Sequence, residues 1–377
     1  MKKLSALLLS LILVVVMATG CGKSSETSGD STTTPTVEPT TAESTEDAAP
    51  TEAATEETAA PTETSTGNPA KTGLAVINDI SSSTDATADA DGVNQTNSVV
   101  VAVLVGQDGK ILDCKLDMAQ TKINFSKEGK LTTPAESTFK SKQELGAEYG
   151  MKSASGIGKE WFEQANAFAD YVTGKTVDEV KGITISDEGT AADADLASSV
   201  TVHIGDFVAA VEKAVANAQD IGATDADKLG LGVSTNMENS KDATADAPGV
   251  AQAYSYYVVT TSDAAGKITS CLIDASQGVV NFDTTGKITN DITVAPQTKD
   301  ELKEAYGMKK ASGLGKEWYE EANAFAQYAV GKTVDELKGI AVNEEGGPTI
   351  ADLTSSVTID IRNFVTSIDK AIANSAQ

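Results

Sequence analysis

One stretch of this sequence occurs twice, and the spacing of its two occurrences constrains the fold more than any other feature. Residues 195–218 read DLASSVTVHIGDFVAAVEKAVANA, and residues 352–375 read DLTSSVTIDIRNFVTSIDKAIANS. The second stretch begins 157 residues after the first, and the same offset joins equivalent residues elsewhere without a gap. The pairs that mark this register are Asp85/Asp242, Cys114/Cys271, Phe125/Phe282, Trp161/Trp318 and Thr176/Thr333. A repeat of this length predicts two whole domains, because each copy has enough residues for its own core.

The residue pattern within each copy predicts an α+β fold, a small antiparallel sheet with flanking helices. We place copy 1 at residues 73–220 and copy 2 at residues 228–377, joined by residues 221–228. In copy 1, apolar and Val-rich runs bounded by Gly-containing turns predict the strands. These predicted strands are residues 74–80, 98–105, 111–118 and 122–125.

The strand that begins at residue 111 carries a cysteine in both copies. Alternation along it places Leu112, Cys114 and Leu116 on one face, which we expect to point inward. Cys114 and its equivalent Cys271 are then buried small apolar residues. A disulfide between them is the less favoured alternative, because equivalent positions face into separate cores.

Helix signals fill the second half of each copy. Capping boxes at Ser141–Glu144 and Thr176–Glu179 predict two short helices. Residues 159–173 carry aromatic and alanine side chains at helical spacing, and Gly174 ends that helix. A last helix is predicted from about Asp206, directly after a Ser-Ser-Val-Thr stretch, where free backbone N–H groups favour an anion.

Charge and composition exclude several functions. The net charge is −26, which argues against binding to nucleic acid or to an anionic membrane surface. His203 is the one histidine and has no counterpart in copy 2, so neither a zinc site nor a histidine-based hydrolytic site is expected. Residues 84–92 have Asp at the spacing of a calcium loop but lack its bidentate Glu, and we interpret them as an acidic turn.

The amino-terminal residues predict export and lipidation. Residues 1–21 form a signal peptide, with Lys2 and Lys3 before a short apolar run that ends in Ala-Thr-Gly-Cys. This ending resembles the lipobox of bacterial lipoproteins and implies lipidation of Cys21 at the extracellular face of the cell membrane. Ordinary secretion with an unmodified Cys21 is the alternative. Residues 22–72 are rich in Thr, Ala, Pro and acids, a composition that predicts a disordered tether.

The order of elements in each copy resembles the FMN-binding domain family, whose members receive FMN from a flavin transferase. In that family the box Asp-x-x-Ser-Gly-Ala-Thr precedes the final helix, and its last hydroxyl carries FMN through a phosphoester. This sequence has Asp-Leu-Ala-Ser-Ser-Val-Thr ending at Thr201 and Asp-Leu-Thr-Ser-Ser-Val-Thr ending at Thr358. The family's Gly and Ala are replaced by Ser and Val, which are bulkier and stiffer. The residues that the resemblance implies for cofactor binding are Asp195, Ser198, Ser199, Thr201, Asp352, Ser355, Ser356 and Thr358.

The lipid anchor, tether and tandem copies also resemble flavin-bearing lipoproteins of Gram-positive extracellular electron transfer. The resemblance implies a flavin electron carrier, with a flavin transferase and redox proteins as partners. Aromatic residues at positions 161, 168 and 171, and their counterparts in copy 2, either cover such a flavin or form the core. The alternative functions are a flavin-free surface protein that binds a small solute, a cell-wall component or a protein, and a structural spacer.

Overall fold

The computed structural model describes residues 67–375, which belong to one compact unit of residues 62–377. The expected signal peptide, the lipidated Cys21 and the tether as far as residue 66 lie outside the described residues. Within residues 67–375, no helix is both long enough and apolar enough to cross a membrane.

Each copy contains a three-stranded antiparallel sheet whose strands are neighbours in chain order, which confirms the predicted α+β class. The strands of copy 1 are β1 (Lys71–Asp79), β2 (Gly92–Val105) and β3 (Ile111–Phe125). Those of copy 2 are β4 (Lys228–Asn236), β5 (Gly249–Ser262) and β6 (Ile268–Phe282). The strands predicted separately at residues 111–118 and 122–125 are one strand, because pairing with β2 continues between them.

Within residues 67–375, five α-helices follow the sheet in each copy. Those of copy 1 are α1 (Lys142–Leu145), α2 (Trp161–Val172), α3 (Val177–Lys181), α4 (Ala194–Ala197) and α5 (Gly205–Ala216). Those of copy 2 are α6 (Lys299–Leu302), α7 (Trp318–Ala329), α8 (Val334–Lys338), α9 (Ala351–Thr354) and α10 (Arg362–Asn374). Short 3-10 turns cover Gly146–Tyr149, Lys303–Tyr306 and Met308–Lys310.

Reciprocal side-chain caps begin the helices where the sequence predicts them. The hydroxyls of Ser141 and Thr176 accept from the backbone N–H three residues on, and the Glu at that position accepts from the cap residue's N–H. Glu160 and Glu163 form a similar pair at the start of α2, where no capping box was predicted. Each cap satisfies N–H groups that the helix leaves free, an effect of about 1 kcal/mol.

The predicted inward face of β3 is wrong at Leu112. Leu104 pairs with Asp113 and Val105 pairs with Ile111, so Leu112 is the extra residue of a β-bulge. The bulge shifts the alternation by one residue, which leaves Leu112 37% exposed while Cys114 and Leu116 remain buried.

One face of each sheet packs against the helices of the same copy. In copy 1, Phe207 of α5 makes edge contacts with Trp161 and Phe168 of α2 above the sheet. We call this cluster between the sheet and the helices the helix-side core of copy 1. It contains Cys114, the equivalent core of copy 2 contains Cys271, and both thiols are free and buried. The two cysteines are thus buried in different clusters, as the strand alternation predicts.

The opposite faces of the two sheets pack against each other, which gives a layer order of helices, sheet, sheet, helices. Two apolar clusters contain residues from both copies. In one of them, the ring centroids of the equivalent residues Phe125 and Phe282 lie 4.2 Å apart, with 4° between the ring planes.

Contacts across this interface are reciprocal, as an approximate twofold axis requires. Lys213 pairs with Glu301, and the equivalent Lys370 pairs with Glu144. The carboxylate of Asp85, in the acidic turn of copy 1, accepts the backbone N–H of Ile288. Asp242 accepts that of Leu131 in the same way, so these acidic turns join the copies.

Candidate functional site

The two candidate attachment boxes form the same local structure. In copy 1 the box begins on α4, where the Asp193 side chain caps the N–H groups of Asp195 and Leu196. Leu196 and Val200 are 1% exposed and belong to the helix-side core. In copy 2 the equivalent Leu353 and Val357 are buried in the same way. Two buried anchors in each box therefore hold the intervening serines and the final threonine at the surface.

The serines of the boxes bond to their own short helices. The Ser198 hydroxyl donates to the Asp195 carbonyl oxygen at 2.8 Å, and the Ser199 hydroxyl donates to that of Leu196 at 3.2 Å. In copy 2 the Ser356 hydroxyl donates to the Leu353 carbonyl at 3.2 Å. Ser355 ends α9 and is exposed, as are Asp195 and Asp352.

Thr201 donates two hydrogen bonds to a buried side chain of α2. The amide oxygen Oε1 of Gln164 accepts from the Thr201 N–H at 2.7 Å and from its hydroxyl at 3.2 Å. It also accepts from the Val202 N–H at 3.2 Å, while its Nε2 donates to Ser155 Oγ at 3.1 Å and to the Lys159 carbonyl at 3.3 Å. Gln164 is completely buried, whereas Thr201 is half-buried.

Copy 2 has the same arrangement with a carboxylate in place of the amide. Oε2 of Glu321 accepts from the Thr358 N–H at 2.6 Å, from the Thr358 hydroxyl at 2.9 Å and from the Ile359 N–H at 3.1 Å. Oε1 accepts the Ser312 hydroxyl at 2.8 Å. Glu321 is completely buried and Thr358 is exposed. Four donors offset the cost of burying this charge.

The backbone N–H groups at the threonines therefore do not face solvent. Those of Thr201 and Val202 point at Gln164, and α5 begins only at Gly205. At the threonine itself, the N–H groups predicted to bind an anion instead donate to a buried side chain. Gln164 and Glu321 were not predicted as site residues, although both occupy one register position of the repeat, in the sequences EQANAF and EEANAF.

The aromatic residues divide between core and surface. Trp161 and Phe168 are buried in the helix-side core of copy 1 and cannot cover a ligand. Tyr171 is half-buried, and the Lys175 ammonium lies 4.3 Å from its ring centroid. Partial burial raises the Tyr171 pKa, and the negative charges of Asp193 and Asp195 raise it further.

Copy 2 repeats this surface pair. Lys332 lies 4.1 Å from the centroid of the Tyr328 ring, and the pKa of Tyr328 is raised by burial and by Asp352. Lys316 adds a second cation, whose Nζ donates to the Ser356 carbonyl oxygen at 3.5 Å. The Lys316 ammonium therefore lies beside the box of copy 2, two residues from the exposed Thr358.

Two cavities lie elsewhere, along the interface between the copies, and neither is lined by a box. The larger has a volume of about 480 Å³, and its pseudo-equivalent has about 220 Å³. Burial raises the pKa of Asp117 in the larger cavity to about 6 and that of Asp274 in the smaller one to about 7. The larger cavity is lined by residues Asp113–Asp117, Gln143, Glu144, Asn166, Ala169 and Asp170 of copy 1 and by Leu231 and Asn374 of copy 2.

Comparison with known proteins gives one partial similarity. No family model matches the chain, and no solved structure matches it. The chain is 32% identical over 96 residues to a chlorophenol reductase from Desulfitobacterium hafniense. The matching segment is 22% of this chain and 29% of the length of that relative. So small a share does not place the chain in a family.

Proposed function

We propose that this protein is a cell-surface lipoprotein that carries FMN as an electron-transfer module. The observation that carries the proposal is the repeated box, in which a buried side chain fixes an accessible threonine hydroxyl at Thr201 and Thr358. The flavin would supply the electron chemistry. The chain would attach it, hold it at the surface and adjust its potential through nearby charges.

The resemblance of each copy to the FMN-binding domain family supports this proposal at the level of the residue pattern. The relative's name also supports it in a general way, because a chlorophenol reductase transfers electrons to its substrate. In this proposal the partners are a flavin transferase, which attaches FMN, and redox proteins that exchange electrons with it.

Intact-mass measurement tests the attachment directly. The chain is coexpressed with a bacterial flavin transferase, purified, and weighed. We expect a mass increase of one or two FMN groups, visible absorbance of flavin, and loss of both in the double variant Thr201→Ala and Thr358→Ala. Thr354→Ala is the matched control, because copy 1 already has Ala197 at that position. FMN on a peptide that lacks the box hydroxyls would refute the proposed site.

The anchor is tested separately. Lipidation of Cys21 is expected to keep the protein in the membrane fraction of its native cell, and Cys21→Ser is expected to release it into the medium. A Cys21→Ser variant that remains with the membrane would contradict the lipoprotein proposal, whatever the flavin result.

The larger interface cavity favours a second candidate, a flavin-free surface protein that binds a small solute. Its volume of about 480 Å³ is within the range of ligand sites, and it is lined by both copies. Asp113 and Asp170 are replaced by Ser270 and Gln327 at the equivalent positions of copy 2. If protein from native cells carries a small molecule that the Asp113→Ser and Asp170→Gln variant loses, and carries no FMN, this second function is favoured.

A further inference from the structure

The two candidate attachment sites differ in one buried group. The Thr358 hydroxyl donates to a carboxylate oxygen of Glu321 at 2.9 Å, whereas the Thr201 hydroxyl donates to an amide oxygen of Gln164 at 3.2 Å. Both acceptors are completely buried and both also accept the N–H groups of the threonine and the next residue.

Much else about the two sites is the same. Each box has Asp, Leu, Ser, Ser, Val and Thr at equivalent positions, a one-turn helix, and a surface tyrosine with a lysine over its ring. Gln and Glu have nearly the same shape. The two copies thus place an amide, in Gln164, and a carboxylate, in Glu321, in similar environments.

We propose that Glu321 accepts the proton of Thr358 during flavin transfer, so that copy 2 is loaded faster than copy 1. This inference rests on the proposed function, with FAD as the donor of FMN. A bond forms between Thr358 Oγ1 and the phosphorus of the FMN half, and the bond from that phosphorus to the bridging oxygen breaks. AMP leaves with the bond's electron pair, the hydroxyl proton moves to Glu321, and no group is oxidised or reduced.

The carboxylate suits this role for two reasons. It already lies at hydrogen-bonding distance from the reacting oxygen, as a general base must. Once it holds the proton it is neutral, so the phosphodiester formed beside it does not face a second buried negative charge. The amide oxygen of Gln164 is not a base near neutral pH, so it cannot take the proton of Thr201 in this way.

The experiment exchanges the two groups. The purified, unloaded chain is incubated with a bacterial flavin transferase and FAD, and FMN on the Thr201 and Thr358 peptides is quantified over time. General bases contribute roughly 10²–10⁴-fold, so we expect copy 2 to load at least tenfold faster than copy 1. Glu321→Gln is expected to slow copy 2 to the rate of copy 1, and Gln164→Glu to accelerate copy 1.

The outcomes separate this inference from the proposed function. Equal loading rates in the parent, or rates that neither exchange alters, would refute the role of Glu321 while leaving FMN attachment intact. No adduct on either peptide in any variant would refute the proposed function and this inference with it. Each variant carries the side chain that the other copy already uses. If circular dichroism shows that Glu321→Gln does not fold, the loading rate of copy 1 in Gln164→Glu tests the inference, and an unchanged rate would refute it.

Discussion

Thr260 of β5 provides a sharp test of the packing in copy 2. Its hydroxyl is completely buried, and it has no hydrogen-bond partner among the described residues. The equivalent residue in copy 1 is Val103, which is also completely buried and belongs to the helix-side core. The repeat therefore shows that a valine fits at this position of the fold.

We expect Thr260→Val to stabilise the protein. An unpaired buried hydroxyl costs roughly 1–3 kcal/mol, and the new methyl group adds burial of about 0.8 kcal/mol. Neighbouring side chains must shift to fit the new methyl group, which offsets part of this gain. The net increase in the free energy of unfolding should therefore be about 1–2 kcal/mol. Urea unfolding, followed by circular dichroism, measures the difference.

The reverse exchange is the control. Val103→Thr places the same hydroxyl in the core of copy 1 and should destabilise the protein by about 1–3 kcal/mol. Since the two positions lie in separate helix-side cores, the effects should add in the double variant. A Thr260→Val protein that is no more stable than the parent would show that the hydroxyl gains as much from its surroundings as a methyl group does.

Three further predictions concern the interface and the strained or buried polar groups. Phe125→Ala should cost about 3–5 kcal/mol by removing a buried ring, and a double-mutant cycle with Phe282→Ala that shows no coupling would contradict their stacking. Lys303 has φ 46°, and the equivalent residue of copy 1 is Gly146 with φ 50°. Lys303→Gly should therefore raise the free energy of unfolding by about 1 kcal/mol, and Gly146→Lys should lower it by as much, which thermal unfolding measures. Burial raises the pKa of Asp274 to about 7, compared with about 4 in the unfolded chain. The contribution of its protonation to the free energy of unfolding is therefore complete below pH 4 and is lost as the pH rises to 7. Asp274→Asn should flatten that part of a profile of urea stability against pH, and an unchanged profile would refute this.

The sequence by itself determined the local structure of both copies. The capping boxes at Ser141 and Thr176 and the burial of Cys114 follow from residues close in the chain, and the 157-residue register follows from comparing the two copies. Such signals are readable because helix caps and strand alternation depend on spacings of a few residues. Where a local irregularity intervened, as at the bulge of Leu112, the same alternation gave the wrong face.

Only the tertiary structure decided how the copies meet and what lies beneath each box. The pairing of Phe125 with Phe282 joins residues 157 positions apart, and no local pattern shows which sheet face will cover the other. Gln164 and Glu321 lie on helices 37 residues before the threonines they contact, in positions that helical spacing assigns simply to a core. Long-range contacts of this kind depend on the packing of whole elements, and packing brings a buried carboxylate to one hydroxyl and an amide to the other.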